Sequence, residues 1–420
     1  MKELQGISQR QMLLFLLVLY CVLFTLSGCS LMEVHKQTQA TENVGYIKGN
    51  IKVSSDQKGP IMVLLFRDEK GLPLILESER STSSEGDFLF PVAPGTFYIA
   101  AFIDVNKDRV YQSEEHGNYY GIPSKIDVTP KQTVTLDTIT ISGPVPRLET
   151  DIKPIARFSA AWTNIGQVVS LNDPRFNRNN YSLGLWKPLD FLTIAEGGLF
   201  FLEEYQEDKV PVLFIHGVSD GPTLWSEVIE SLDKQNFQPW VLYYPSGLRL
   251  DMISDYLTEV VSRLQNKHGF KEFVVIAHSM GGLVTRSFVK KYVERAPGNS
   301  KNLRLVMTIN SPMGGMSSAS AGVKHSPIVV PSWRDVMPGS DFLKDIHTWN
   351  WPKETLYYLV ASYINGESGD GLVSLQSQIP QKLQSESTRM YVFNNNHVGT
   401  INDKNFLTLF NKILSDSHIK

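Results

Sequence analysis

Two hydrophobic periodicities divide the chain. Up to about Ile141 the apolar residues come in short runs, IMVLLF (61–66), PLILES (73–78), DFLFPV (87–92), TFYIAAFI (96–103) and TVTLDTITI (133–141). Turn residues such as Ser83-Ser84-Glu85-Gly86 and Pro94-Gly95 separate them. Short β-rich runs punctuated in this way predict a small antiparallel β-sandwich over residues 45–142. From Lys209 the pattern changes. VPVLFIHG (210–217), QPWVLYYPSG (238–247), EFVVIAHS (272–279), LRLVMTIN (303–310), TLYYLVAS (355–362) and RMYVFN (389–394) are continuous apolar runs, several ending in turns. Strands buried on both faces of a parallel sheet have this character. Between them, Met252, Ile253, Leu257, Val260, Val261 and Leu264 recur at helical spacing. Alternating strands and helices predict a mainly parallel sheet covered on both faces, spanning residues 201–420.

The remaining segments lack either period. Residues 29–44 are polar and aperiodic and are expected to form a tether. Residues 143–200, marked by Pro144, Pro146 and Pro154, are expected to be a connector packed on the following domain. The stretch of about 44 residues between the strands ending at Asn310 and starting at Thr355 is longer than ordinary loops, which marks it as functional or as a subdomain.

Composition is that of a globular chain, with 42% hydrophobic and 20% charged residues among 420. A net charge of −3 with no basic run gives no surface for nucleic acid. The N-terminus is different. Lys2 and Arg10 precede an uncharged apolar run, Met12–Leu26, which suits a signal peptide and is short for a spanning helix. Its end, Leu26-Ser27-Gly28-Cys29, resembles the lipobox of bacterial lipoproteins. That resemblance implies removal of residues 1–28, acylation of Cys29 and a membrane anchor at the cell envelope. An uncleaved anchor is the alternative, and it too puts the body outside the cytoplasm. Ser30 after the lipidated position favours the outer membrane if the source is Gram-negative. Cys21 and Cys29 are the only cysteines, so a chain processed in this way holds no disulfide and no cysteine metal site.

The sharpest chemical signal is Ala277-His278-Ser279-Met280-Gly281-Gly282, which joins a buried strand to the helical pattern LVTRSFVKKYV. A strained strand-to-helix turn with small residues two before and two after a serine presents its hydroxyl as a nucleophile. With Ala277 in place of the usual first glycine, the motif resembles those of bacterial lipases of the α/β-hydrolase fold, over about residues 205–415. The resemblance implies Ser279 as nucleophile. It implies the acid at Asp370, in Gly369-Asp370-Gly371-Leu372-Val373, with Glu367 as rival, and the base at His397, in Asn394-Asn395-Asn396-His397-Val398-Gly399. The order Ser279, Asp370, His397 is the one this fold uses. By the same resemblance, the residue after His216-Gly217, Val218, and the residue after the nucleophile, Met280, donate N–H groups to an oxyanion hole. His216 and His278 are expected to be structural, and His418 lies too near the terminus to be well held.

The implied activity is carboxylic ester hydrolysis by a serine esterase or lipase, through an acyl-serine intermediate, on an ester or lipid substrate and without a catalytic cofactor. An acyltransferase or amidase on the same scaffold is the alternative, because fold does not fix substrate. From another class, the chain could be a surface-binding lipoprotein with a vestigial hydrolase domain. Residues 312–352, with Met313, Met316, Trp333, Met337, Phe342, Leu343, Trp349 and Trp351, are expected either to cap an acyl pocket or to pack at the sheet edge.

The N-terminal unit carries one more pattern. APGTFYIAAFIDVNKD (93–108) resembles transthyretin-like or carboxypeptidase-regulatory-like domains. From Asp104, the residues Asp104, Asn106, Asp108 and Glu115 match oxygen-ligand positions of an EF-hand-like loop, which suggests a structural calcium ion. Arg109 replaces the glycine expected at the sharp turn, and the flanks look like strands. A solvated acidic hairpin turn is the competing explanation.

Overall fold

The computed structural model describes residues 31–68, 75–82, 85–108, 110–121, 124–145, 164–296 and 298–417. The N-terminal apolar run, Cys29, Arg109 and His418 lie outside the described residues, so the expectations attached to them are not addressed by the fold.

The N-terminal strands are β1 (Gly45–Val53), β2 (Ile61–Arg67), β3 (Ile75–Thr82), β4 (Gly86–Val92), β5 (Gly95–Ile103), β6 (His116–Tyr119), β7 (Ile126–Val128), β8 (Thr133–Thr135), β9 (Ile139–Ile141) and β10 (Gly143–Pro144). One sheet runs β4-β1-β8, with β9 also on β1. The other runs β10-β6-β5-β2-β3, with β7 on β5. Inward residues of both, among them Ile47, Ile51, Val63, Leu65, Phe88, Phe90, Ile99 and Ala101, share one apolar cluster. The pairing departs from the purely antiparallel expectation: β1 is antiparallel to β4 but parallel to β8 and β9. IMVLLF is buried along its whole length because the outer face of β2 is covered too, with Met62, Leu64 and Phe66 in a second cluster with Ala100 and Phe102.

Two segments differ from expectation. Residues 31–42 form a helix, not a tether. Its buried stripe is Val34, Gln37, Thr38 and Thr41, correct helical spacing but mostly polar. The Thr38 and Thr41 hydroxyls donate back to the carbonyls of Val34 and Gln37. Gln37 reaches the helix Pro188–Ile194, accepting from the Leu189 and Asp190 N–H groups and donating to Asp190 Oδ1 at 2.6 Å. Glu42 pairs with Arg334 at 2.7 Å. The connector, in turn, supplies β11 (Gln167–Val168) and β12 (Gly198–Phe201) to the large sheet, parallel to each other, with β12 antiparallel to the strand Phe237–Tyr243 on its other side.

That sheet is completed by β13 (Val210–Ile215), β14 (Phe237–Tyr243), β15 (Phe273–His278), β16 (Leu303–Ile309), β17 (Leu356–Tyr363) and β18 (Arg389–Asn394). Its order is β11-β12-β14-β13-β15-β16-β17-β18, parallel from β14 onward. One face packs on the helices Leu250–His268 and Met280–Arg295, and the other on Phe191, Trp225, Phe406 and Phe410. The start of the first of these helices is held by Asp335, whose carboxylate accepts from the Leu250 N–H at 2.7 Å and pairs with Arg249 at 2.6 Å. Within 312–352 lie the helices Ser317–His325, Pro331–Val336 and Asp341–His347. Val336, Phe342, Leu343 and Ile346 belong to the same core cluster as Leu283 and Val284. For these side chains the packing alternative describes their place.

Candidate active site

In an open parallel sheet, ligands meet the carboxyl ends of the strands. Here those ends carry the chemistry. Gly217 lies just beyond β13, Ser279 follows β15 directly, Asn310 follows β16, and Asp370 and His397 lie beyond β17 and β18.

Ser279 sits between the last residue of β15 and the helix Met280–Arg295, with φ 54° and ψ −130°. A non-glycine residue in this region is strained, and the strain is held by both flanking elements. Gly281 lets the helix approach the sheet, since a Cβ there would run into the carbonyls of Ile215 and His216. At Gly217 a Cβ would stand 2.9 Å from Ser279 Cβ and 3.3 Å from its Oγ, so only glycine lets this loop pass over the serine. The loop carries Val218 past Ser279, while Met280 is the first residue of the helix, where N–H groups are unsatisfied and the dipole is positive. The loop is braced from behind. Tyr244 donates its hydroxyl to the His216 carbonyl at 2.7 Å, the His216 ring stacks on Tyr244, and the Ser219 N–H donates to Ser246 Oγ at 2.9 Å. Complete burial lowers the pKa of His216 to about 4, so the ring is neutral and structural.

The expected acid and base meet. His397 Nδ1 donates to Asp370 Oδ2 at 2.7 Å, and the His397 N–H donates to the Asp370 carbonyl at 3.0 Å. Asp370 is fully buried, which would raise its pKa. The hydrogen bond from His397 and those from the Val373 and Leu372 N–H groups outweigh burial and hold it below the usual carboxylate range. The rival Glu367 has its side chain in solvent. Gln378, which sequence patterns did not single out, donates to Asp370 Oδ2 at 3.2 Å and is locked to both backbone groups of Ser362.

His278 lies against His397, ring centroids 4.7 Å apart, and its Nε2 donates to the His397 carbonyl at 2.9 Å. Burial first, and the charge of His397 second, lower its pKa to about 3. Asp220, two residues beyond Val218, was also not singled out. Burial raises its carboxyl to about 6, against the opposing influence of the Gly221 N–H, Arg178 and His397.

The residues that suggested a calcium ion lie in the N-terminal unit. Glu115 accepts from the Val105 and Gln112 N–H groups, Asp104 from the Asp108 N–H, and Asp108 from Val110, Asn106 and Gln112. Among the described residues, no group of three or more His, Cys, Asp or Glu side chains is gathered to hold a metal ion.

An eight-stranded, largely parallel sheet with a serine on a strained turn after a central strand defines the α/β-hydrolase fold, and this is the fold of residues 164–417. Residues 248–397 match the model of a family described as an alpha/beta hydrolase of unknown function (DUF915), a stretch that includes Ser279, Asp370 and His397. Among solved structures, a Bacillus licheniformis lipase in its mature form is 15% identical, covers 53% of this chain and 98% of its own, and superposes with a TM-score of 0.41. The product of a Listeria innocua gene is 16% identical, with coverages of 51% and 96% and a TM-score of 0.38. A thermophilic esterase from Thermogutta terrifontis is 15% identical, with coverages of 53% and 94% and a TM-score of 0.34. No curated protein matches the chain.

Proposed function

We propose that this α/β-hydrolase is a serine esterase or lipase of the cell envelope, held at a membrane by a lipid on Cys29 and acting on carboxylic esters. The observation that carries this reading is the hydrogen-bonded Asp370–His397 pair at the same sheet edge as the strained Ser279 turn.

With Nδ1 engaged by Asp370, His397 presents Nε2 as the free basic atom. It takes the proton of Ser279 Oγ as that oxygen attacks the ester carbonyl. Negative charge then builds on the former carbonyl oxygen, where the N–H groups of Val218 and Met280 receive it. Preorganised donors of this kind contribute roughly 3–4 kcal/mol each. Asp370, held ionised, stabilises the imidazolium. His397 returns its proton to the departing alkoxide, leaving an acyl-serine. A water activated by the same base then releases the acid.

The deciding experiment pairs an activity panel with a covalent probe. The purified chain is expected to hydrolyse p-nitrophenyl esters and to be labelled by a fluorophosphonate at Ser279. Wild-type protein that shows neither would overturn the assignment.

A further inference from the structure

The base sits on a loop with little packing of its own. His397 lies between β18 and the short turn Gly399–Asn402, where Asn394 and Asn396 are exposed and Asn395 is half-buried. Its backbone is nonetheless pinned at both polar atoms. The N–H donates to the Asp370 carbonyl, and the carbonyl accepts two hydrogen bonds from side chains distant in sequence. One comes from His278 Nε2 at 2.9 Å and the other from Asn310 Nδ2 at 2.8 Å.

The two donors come from neighbouring strand tips. His278 is the last residue of β15, the position before Ser279, and Asn310 is the residue just after β16. β15 and β16 are parallel neighbours, with His278 opposite Ile309. Asn310 is itself firmly held. Its N–H donates to the Val360 carbonyl at 2.9 Å, and its φ of 51° is left-handed, a region that asparagine tolerates better than most residues. Its Nδ2 also donates to Thr400 Oγ1 at 3.2 Å, which ties down the other side of the base loop. Both side chains are fully buried.

From this convergence we infer that His278 and Asn310 are positioning residues, a two-point clamp that fixes the His397 imidazole relative to Ser279. The inference rests on the serine-hydrolase reading given above. His278 joins the two ends of the machinery directly, because its backbone continues into the nucleophile and its side chain holds the base. The ring works as a donor only while Nδ1 is bare. Burial keeps it neutral, so it adds no positive charge beside His397 when that ring becomes an imidazolium in the reaction. Neither side chain touches substrate. Their effect is geometric, and displacement of a catalytic group by about 1 Å can cost on the order of 10²-fold in rate.

The clamp is tested by steady-state kinetics on p-nitrophenyl butyrate with the full chain. His278→Phe keeps an aromatic ring and removes the donor. His278→Gln restores a side-chain N–H at similar reach. Asn310→Gly tolerates the left-handed backbone and removes the whole side chain with its amide donor. His278→Phe and Asn310→Gly are each expected to lower kcat by about 10-fold with KM within about 2-fold, and the double variant by about 100-fold or more. Fluorophosphonate labelling of Ser279 should slow in parallel, and His278→Gln should recover most of the lost kcat. Wild-type kcat in folded Asn310→Gly and His278→Phe protein, or a loss confined to KM, overturns the inference. If His278→Phe does not fold, Asn310→Gly alone decides by the same criteria. A wild-type chain that neither turns over nor labels overturns the parent reading, and the clamp with it.

Discussion

The strain at Ser279 separates stability from activity. Its φ of 54° with ψ of −130° is a conformation that glycine adopts freely and serine does not. Ser279→Ala is expected to abolish turnover, by at least about 10⁴-fold, while shifting stability by less than about 1 kcal/mol. Ser279→Gly should be equally inactive yet about 1 kcal/mol more stable than wild type, because the strain is released. Esterase assays alongside urea denaturation check both; an active Ser279→Ala protein would remove the nucleophile assignment. Two buried histidines impose a second dependence. His216 and His278 have folded pKa values of about 4 and about 3, below the unfolded value near 6.5. The unfolded chain therefore binds more protons in acid. The stability these neutral rings allow is complete above about pH 6.5 and is lost as pH falls toward the folded values, at up to about 1.4 kcal/mol per pH unit for each ring. Denaturation midpoints measured from pH 7 to pH 4.5 should fall less steeply in His278→Gln than in wild type, and equal slopes would contradict this.

Within residues 312–352, Val336, Phe342, Leu343 and Ile346 serve the core. Phe342 is only 7% exposed and packs with Leu343 and Ile346 in the cluster of the helix Met280–Arg295. Phe342→Ala should therefore destabilise the protein by about 3 kcal/mol and leave the ester chain-length preference unchanged. A stable variant with an altered preference would return Phe342 to an acyl pocket. Trp333 is more open, with its ring 5.7 Å from that of Trp186 and close against Gly322. Asp335 in the same segment receives the Leu250 N–H, so the segment also fixes where a long helix of the hydrolase begins.

Across the molecule, the helix at residues 31–42 ties the N-terminus to the catalytic body at two points, Gln37 to the helix Pro188–Ile194 and Glu42 to Arg334. Cys29 stands two residues before this helix in sequence. A lipid on Cys29 would thus be coupled to the hydrolase through a short braced element and not through a loose tether. In the proposed lipoprotein, Cys29→Ala should eliminate palmitate labelling and move the chain from the membrane to the soluble fraction, since several acyl chains anchor far more firmly than one. Retention in the membrane fraction with an unmodified N-terminus would sink the lipobox assignment.

The central sheet was legible from the chain alone because a strand buried on both faces must be predominantly apolar, as VPVLFI, FVVIAH and LRLVMTI are. The strained turn at Ser279 was legible because its demands are local: a serine with small residues at fixed offsets between a strand and a helix. Asp370 and His397 were candidates only through the resemblance of their segments to those of bacterial lipases, and the fold is what brings the two side chains together. Other features left no such mark. The helix at residues 31–42 hides behind a polar stripe, and β12 is a four-residue run too short to show a period. The parallel pairing of β1 with β8 and β9 depends on which strands become neighbours. Gln378, Asn310 and His278 have no local pattern that assigns them to Asp370 and His397. Asn310 lies 87 positions from His397 and His278 lies 119. Local backbone preference and burial are written residue by residue along a chain. Hydrogen bonds between strand tips exist only once strand order has brought the tips together, so the sheet's topology alone placed those donors on His397.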